Sequence, residues 1–219
     1  MRGDQLRGLA APVLAKVITH PYWTGLTDGT LPGAALTHFV EQDTNHLLPT
    51  FGRLFAAAAG HATEDRHTTL LAECAFATIE SAPRLRGQLA DIAGDLGIAP
   101  PSEHAAADPT TIAYCSFGRA AAANGLAASL GAVLPFLWFH LEVCDALLAK
   151  AAPTSAYQPW IAIYRPPPIV WQVLDSMLGV VDELDPDWSS AQSSVLAAHF
   201  GFAARHELAF AEAGWRAAV

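Results

Sequence analysis

The sequence predicts an all-α protein, a helical bundle in a single domain over residues 1–219, and three observations carry that prediction. Apolar residues recur at helical spacing in nearly every segment, the strict alternation of a half-buried strand is absent, and alanine is abundant enough for helix propensity to agree with the pattern. A chain of 219 residues buries a sizeable core without a second domain. Roughly seven or more helices with mostly short connections describe a bundle, in which sites are built from side chains projecting inward from facing helices.

The elements follow in order. A first helix over residues 4–19 ends at His20-Pro21, because the residue before a proline is pushed out of the α region. The segment TGLTDGTLPG reads as a turn. Leu31-Pro32 opens a long helix over residues 31–59, stopped by Gly60. Thr63 and Asp65 start a third helix, and Glu80-Ser81 ahead of Pro83 marks a break before a further helix at 84–96. The linker GIAPPSEHAAADP is Pro-rich and polar. Asp108-Pro109 opens a helix to about residue 123, Asn124-Gly125 caps it, and residues 126–150 form the next, with Pro135 expected to kink it. Prolines 166–168 break any helix there, and residues 187–216 form the last long one.

Composition narrows the partners. Hydrophobic residues make up 52% and charged residues 15%, which points to a generous core or a subunit interface and hence to a homo-oligomer, a dimer or tetramer. The apolar stretches read as too interrupted for a membrane span. A net charge of -9 with only 12 Lys and Arg, and no basic run, makes nucleic acid and anionic membranes poor partners. Asp4, Arg7 and Lys16 interrupt the apolar N-terminus, so no secretory signal is read there and a cytoplasmic location is expected. Cys74, Cys115 and Cys144 are widely separated and form no CxxC pair, so reduced, buried thiols are expected and neither a disulfide framework nor a zinc site.

Four collinear segments resemble the TenA (thiaminase II) family. The first is His20-Pro21 with Gly25, Asp28-Gly29-Thr30-Leu31-Pro32, Phe39, Gln42-Asp43 and Leu47. Pro109-Thr110 with Tyr114 is the second. The third is Leu134-Pro135 with Trp138 and Glu142, continued by Tyr157, Trp160-Ile161 and Tyr164, and the last is Ala203-Ala204-Arg205-His206-Glu207 with Phe210. The resemblance implies a heme-oxygenase-like helical bundle without heme or other cofactor, commonly a homotetramer, with a pocket for an aminopyrimidine. It implies hydrolysis of the exocyclic amine or amide of a thiamin breakdown product, or in some members cleavage of thiamin. Carried over, Asp43 binds the aminopyrimidine edge, Tyr114 and Tyr164 line the pocket, Glu207 is the acid/base and Phe210 stacks on the ring. Where many members read Leu-Pro-Cys, this chain reads Leu134-Pro135-Phe136, so the resemblance also implies a site without its nucleophilic thiolate. His46 stands where a tyrosine is usual.

The residue types support such chemistry on their own terms. Asp43 and His46, at i and i+3 of a regular helix, share a face and can hold a bound amine, or form a plain surface or interface pair. Glu207 and Phe210 have the same relation, which sets an acid against an aromatic surface and raises its pKa toward neutrality, unless Glu207 pairs with Arg205. Tyr114, Tyr164 and Phe210 also suit a core. Glu142 is a second candidate acid/base or a structural, hydrogen-bonded Glu. His140, His199 and His206 read as core or interface histidines and the remaining histidines as surface ones. Cys144 lies about 12 Å along the helix from Phe136, too far to replace a nucleophile there, and Cys115 points away from Tyr114.

The expected activity is cleavage of a C–N bond in an aminopyrimidine or related nitrogenous small molecule by general acid/base catalysis, with Glu207, Asp43 and Glu142 as catalytic candidates. His46, Tyr114, Phe136, Tyr164 and Phe210, with Asp43, are the candidates for substrate binding, and no metal ligand is assigned. The alternatives are a divergent enzyme of secondary metabolism, a non-catalytic pyrimidine-binding protein, and a metal-dependent oxidase of the same fold. For the last, Asp43-x-x-His46 supplies one half of a site whose other half is missing at the required spacing.

Overall fold

A computed structural model describes residues 2–184 and 186–217. Among them the only regular elements are helices: α1 (Arg2–Ile18), α2 (Pro21–Asp28), α3 (Gly33–Gln42), a π-helical turn (Asp43–Leu47), α4 (Leu48–His61), α5 (Asp65–Leu96), α6 (Pro109–Ala123), α7 (Leu126–Lys150), α8 (Gln158–Tyr164), α9 (Ile169–Leu184) and α10 (Ser190–Arg216). The most extensive packing is α7 on α10 and α4 on α5, with α6 and the π turn between them. This is the all-helical bundle that the sequence predicts.

Local chemistry explains most boundaries. His20 is the N-cap of α2: its Nδ1 accepts the Tyr22 N–H at 3.1 Å, while its Nε2 meets Glu212 of α10 at 2.7 Å. Pro21 then stands in the first turn, where no N–H is needed. The stretch read as a turn is therefore helical through Asp28. Gly29 ends α2 at φ 82, a left-handed conformation that suits glycine. Asp108 caps α6 through the Thr111 N–H at 2.6 Å. The last helix starts at Ser190 and not at 187, because Ser189 and Gln192 form a capping box.

Three departures from the sequence reading have physical causes. The break expected at Pro83 does not occur, and α5 runs unbroken from Asp65 to Leu96 with that proline on its exposed side. Packing on α4 holds it straight enough to absorb one missing hydrogen bond. The helix expected over residues 31–59 is instead divided by the π turn, in which Leu48 N–H bonds the Asp43 carbonyl five residues back. Pro49 accounts for it: it offers no N–H to the Asn45 carbonyl and its ring crowds that oxygen, so the chain widens by one residue ahead of it. Thirdly, α7 is long and apolar enough to cross a membrane by length and composition. Here it is a bundle helix, apolar nearly all round because α4, α6, α9 and α10 surround it.

The Pro-rich linker between α5 and α6 is strapped to α3 and the π turn. Thr37 Oγ1 donates to the Ala99 carbonyl at 2.9 Å, Gln42 Nε2 to that of Ala106 at 2.9 Å and Asn45 Nδ2 to that of Ser102 at 2.8 Å. In return Gln42 Oε1 accepts the Asp108 N–H at 2.9 Å.

Candidate active site

Helices α2, α3, α5, α7, α8 and α10 enclose a cavity of about 400 Å³, within the range of small-molecule sites. Asp43 enters from the π turn, Phe136 and His140 from α7, Tyr164 from the end of α8, and Glu207 with Phe210 from α10. Phe136 and His140 are i and i+4, and Glu207 and Phe210 i and i+3, so each pair shares a face of its helix. The walls are aromatic. Trp23 stacks on Tyr164 with centroids 6.1 Å apart, Phe39 meets Phe210 at 5.0 Å, and Phe136 stacks on Phe51 at 4.4 Å.

The electrostatics follow from this enclosure. Burial raises the Asp43 carboxyl to about 7, because an apolar wall disfavours its charge. Glu207 is raised to about 8, chiefly by burial; the hydrogen bond from Tyr114 opposes the shift and the charge of Asp43 adds to it. Both acids can therefore hold a proton at neutral pH, the condition for a carboxyl to act as donor. Tyr114 is fully buried behind Glu207, donates its hydroxyl to Glu207 Oε1, and is itself stacked on the ring of His206 at 4.8 Å. Burial lowers the imidazole of His140 to about 4, so it faces the cavity neutral.

Of the sequence-derived candidates, Asp43, Phe136, Tyr164, Glu207 and Phe210 line this one cavity, and Tyr114 holds Glu207 from behind. Two do not join them. His46 is turned outward, its Nε2 on the Ala105 carbonyl at 2.8 Å; the shared face assumed for i and i+3 holds in an α-helix, and the wider π turn rotates the two residues apart. Glu142 accepts the Trp138 Nε1–H at 3.0 Å and forms no part of the cavity wall, a structural role within one turn of α7.

Other residues come as corrections or additions. His140 belongs to the cavity wall, not to the core at large. His20 and His67 are buried rather than superficial, the latter with Nε2 2.8 Å from Glu183. Cys115 and Cys144 are buried as expected, while Cys74 is half-buried; Cys115 donates to the His46 carbonyl at 3.5 Å. Trp23 and Tyr22 went unassigned in sequence, although both follow directly on His20-Pro21. The Tyr22 hydroxyl is buried without a hydrogen-bond partner among the described residues, and the charge of Asp43 acts on it. No group of three or more His, Cys, Asp or Glu side chains able to share a metal comes together among the described residues.

The description of the TENA/THI-4/PQQC family matches residues 10–166. The chain belongs to that family. Among curated relatives, a Bacillus subtilis (strain 168) protein named aminopyrimidine aminohydrolase is 26% identical over 221 residues, covering 97% of this chain and 91% of its own. A protein of the same name from Halalkalibacterium halodurans is 27% identical over 206 residues, covering 92% and 89%. Of solved structures, a TenA homologue from P. horikoshii OT3 superposes with a TM-score of 0.81 at 23% identity, over 99% of each chain. A TenA homologue from Pyrococcus furiosus does so with a TM-score of 0.84 at 14% identity, over 98% and 100%. These two show the fold.

Proposed function

We propose that this protein hydrolyses a C–N bond of an aminopyrimidine or a closely related nitrogenous small molecule, without a cysteine nucleophile. The observation that carries the proposal is the pair of enclosed carboxyls, Asp43 and Glu207, opening on one aromatic cavity. The names of the two curated relatives support the substrate class.

In this mechanism an aromatic ring stacks among Phe210, Phe39 and Tyr164, and Asp43 accepts hydrogen bonds from its amino edge. A water oxygen bonds to the carbon bearing the nitrogen as the C–N bond breaks. The leaving nitrogen takes the proton held by Glu207, and the proton lost by the water restores Glu207 to its acid form. Tyr114, fixed between His206 and Glu207, aims the carboxyl and holds one of its oxygens in place. Glu142 and His46, which face elsewhere, have no part in it.

A thiolate route has little support from the three cysteines. Burial pushes the Cys74 thiol up to about 11 and raises Cys115 and Cys144 as well, so each is held as an unreactive thiol at neutral pH. The test is an assay of ammonia or amine release from an aminomethylpyrimidine, its amides and thiamin, before and after treatment with iodoacetamide. Turnover of at least one compound that survives alkylation is the expected result. Loss of activity in proportion to alkylation of one cysteine would overturn the thiol-free mechanism, and binding without turnover would make this a pyrimidine-binding protein.

A further inference from the structure

The cavity extends well beyond the two acids. At about 30 Å³ per water molecule, 400 Å³ holds about thirteen waters, more room than a single substituted ring needs. On the sides formed by α5 and the segment after α8, Ser81, Arg84 and Arg165 join the lining. Arg84 and Arg165 are solvent-exposed while lining the cavity, which puts them at its mouth, whereas Asp43 is buried at its inner end. Helix α5 packs on α8 and α9, so the two arginines face one opening from neighbouring elements. Pro166 and Pro167, themselves part of the wall, fix the backbone direction immediately after Arg165.

The charge distribution at this mouth runs against the composition. The chain has 21 acidic and 12 basic residues, yet among the described residues the acids in the lining are only Asp43 and Glu207, and burial favours their protonated forms. Arg84 makes no ion pair among the described residues. Arg165 pairs with Asp145 at 3.5 Å, and both are nearly half exposed. Such a surface pair is weak and leaves most of the guanidinium donors free for a ligand.

We propose that the substrate is a two-part molecule: a nitrogenous ring at the acid end of the cavity, joined through the scissile C–N bond to a chain ending in a carboxylate or phosphate-like anion held by Arg84 and Arg165. This rests on the C–N hydrolase reading of the same cavity. It explains why the site is larger than the ring and why two of the chain's few cations stand at its mouth. Hydrolysis of such an amide adds water across the C–N bond and releases the free amine and an acid whose anionic tail lies at the exit.

The experiment compares three amides of an aminomethylpyrimidine: N-succinyl, ending in a carboxylate; N-phosphonoacetyl, ending in a phosphonate; and N-succinamoyl, the neutral counterpart of the first. At low ionic strength kcat/KM for at least one anionic amide is expected to exceed that of the neutral one by about tenfold, the size of a charge-assisted hydrogen bond at an exposed site. The larger of the two anionic values identifies the group. The preference should shrink as salt is added and fall to about one in the double variant Arg84→Gln, Arg165→Gln, whose exposed positions make folding insensitive to the change. A ratio near one in the wild type, or a preference that the double variant keeps, overturns the proposal. If none of the amides turns over, the hydrolase reading fails, and the same three ratios taken from calorimetric affinities still decide the anion site.

Discussion

At the residue scale, the site depends on keeping two carboxyls where their charge is unwelcome. Asp43 is 7% exposed and its pKa is raised to about 7 by burial. In the unfolded chain it ionises in the ordinary carboxylate range, so between that range and pH 7 the folded state holds the extra proton. Stability from this group is full below the ordinary range and is lost as pH rises toward 7. The deficit above pH 7 is on the order of 4 kcal/mol. Asp43→Asn removes it while keeping size and hydrogen-bonding capacity. The variant should therefore melt about 12 °C higher than the wild type at pH 8 and within about 2 °C of it at pH 4, with ligand binding weakened. Thermal melts at the two pH values decide this, and an equal difference at both would mean that Asp43 does not titrate as described.

At the element scale, the decisive feature is the π turn. The apolar spacing carried α3 and α4 as helix, whereas the place of Asp43 in the pocket rested on the family resemblance and not on spacing. His46 was misplaced because apolar spacing says nothing of a one-residue widening. The physical cue was present in Pro49, which withholds an N–H from the turn before it. The same oversight in reverse put a break at Pro83, where packing on α4 overrides a proline that lies on the solvent side. His46 now serves the strap that fastens the linker at Ala105. His46→Ala should lower the melting temperature by about 3 °C, the cost of one hydrogen bond, and leave kcat/KM within about threefold of wild type. A hundredfold loss of kcat/KM at unchanged stability would return His46 to the cavity.

At the scale of the whole molecule, α7 and α10 form the most extensive helix pair, and each supplies side chains to the cavity wall. Gly131 lets them approach closely: a Cβ there would lie 2.5 Å from the Leu196 carbonyl oxygen and 2.9 Å from the His199 Cβ. Phe136 and His140 lie further along α7, and Glu207 and Phe210 further along α10, so this contact sets the spacing of both walls. Gly131→Ala should cost about 2 kcal/mol of stability, seen as a melting temperature about 6 °C lower, because the obstruction is backbone and cannot rotate away. An unchanged melting temperature would show that the crossing is looser than the geometry indicates. The bundle and its inward faces were legible in the sequence, since 3.6-residue spacing reports burial directly. How far two helices stand apart, and hence how large a cavity they leave, depends on contacts such as Gly131 with Leu196, sixty-five positions apart in the chain, and no local pattern reports it. For the same reason the arginines at the mouth had no signature: Arg84 and Arg165 meet at one opening only through the packing of α5 against α8 and α9.

The central claim is that Glu207 transfers the proton that lets the C–N bond break. Its most direct test is kcat/KM for the best substrate found, compared between wild type and Glu207→Gln, a change that keeps an acceptor for Tyr114 but no transferable proton. A loss of at least about a hundredfold with substrate affinity within about threefold is predicted, the usual scale of one acid/base group. Undiminished turnover in Glu207→Gln would contradict the account.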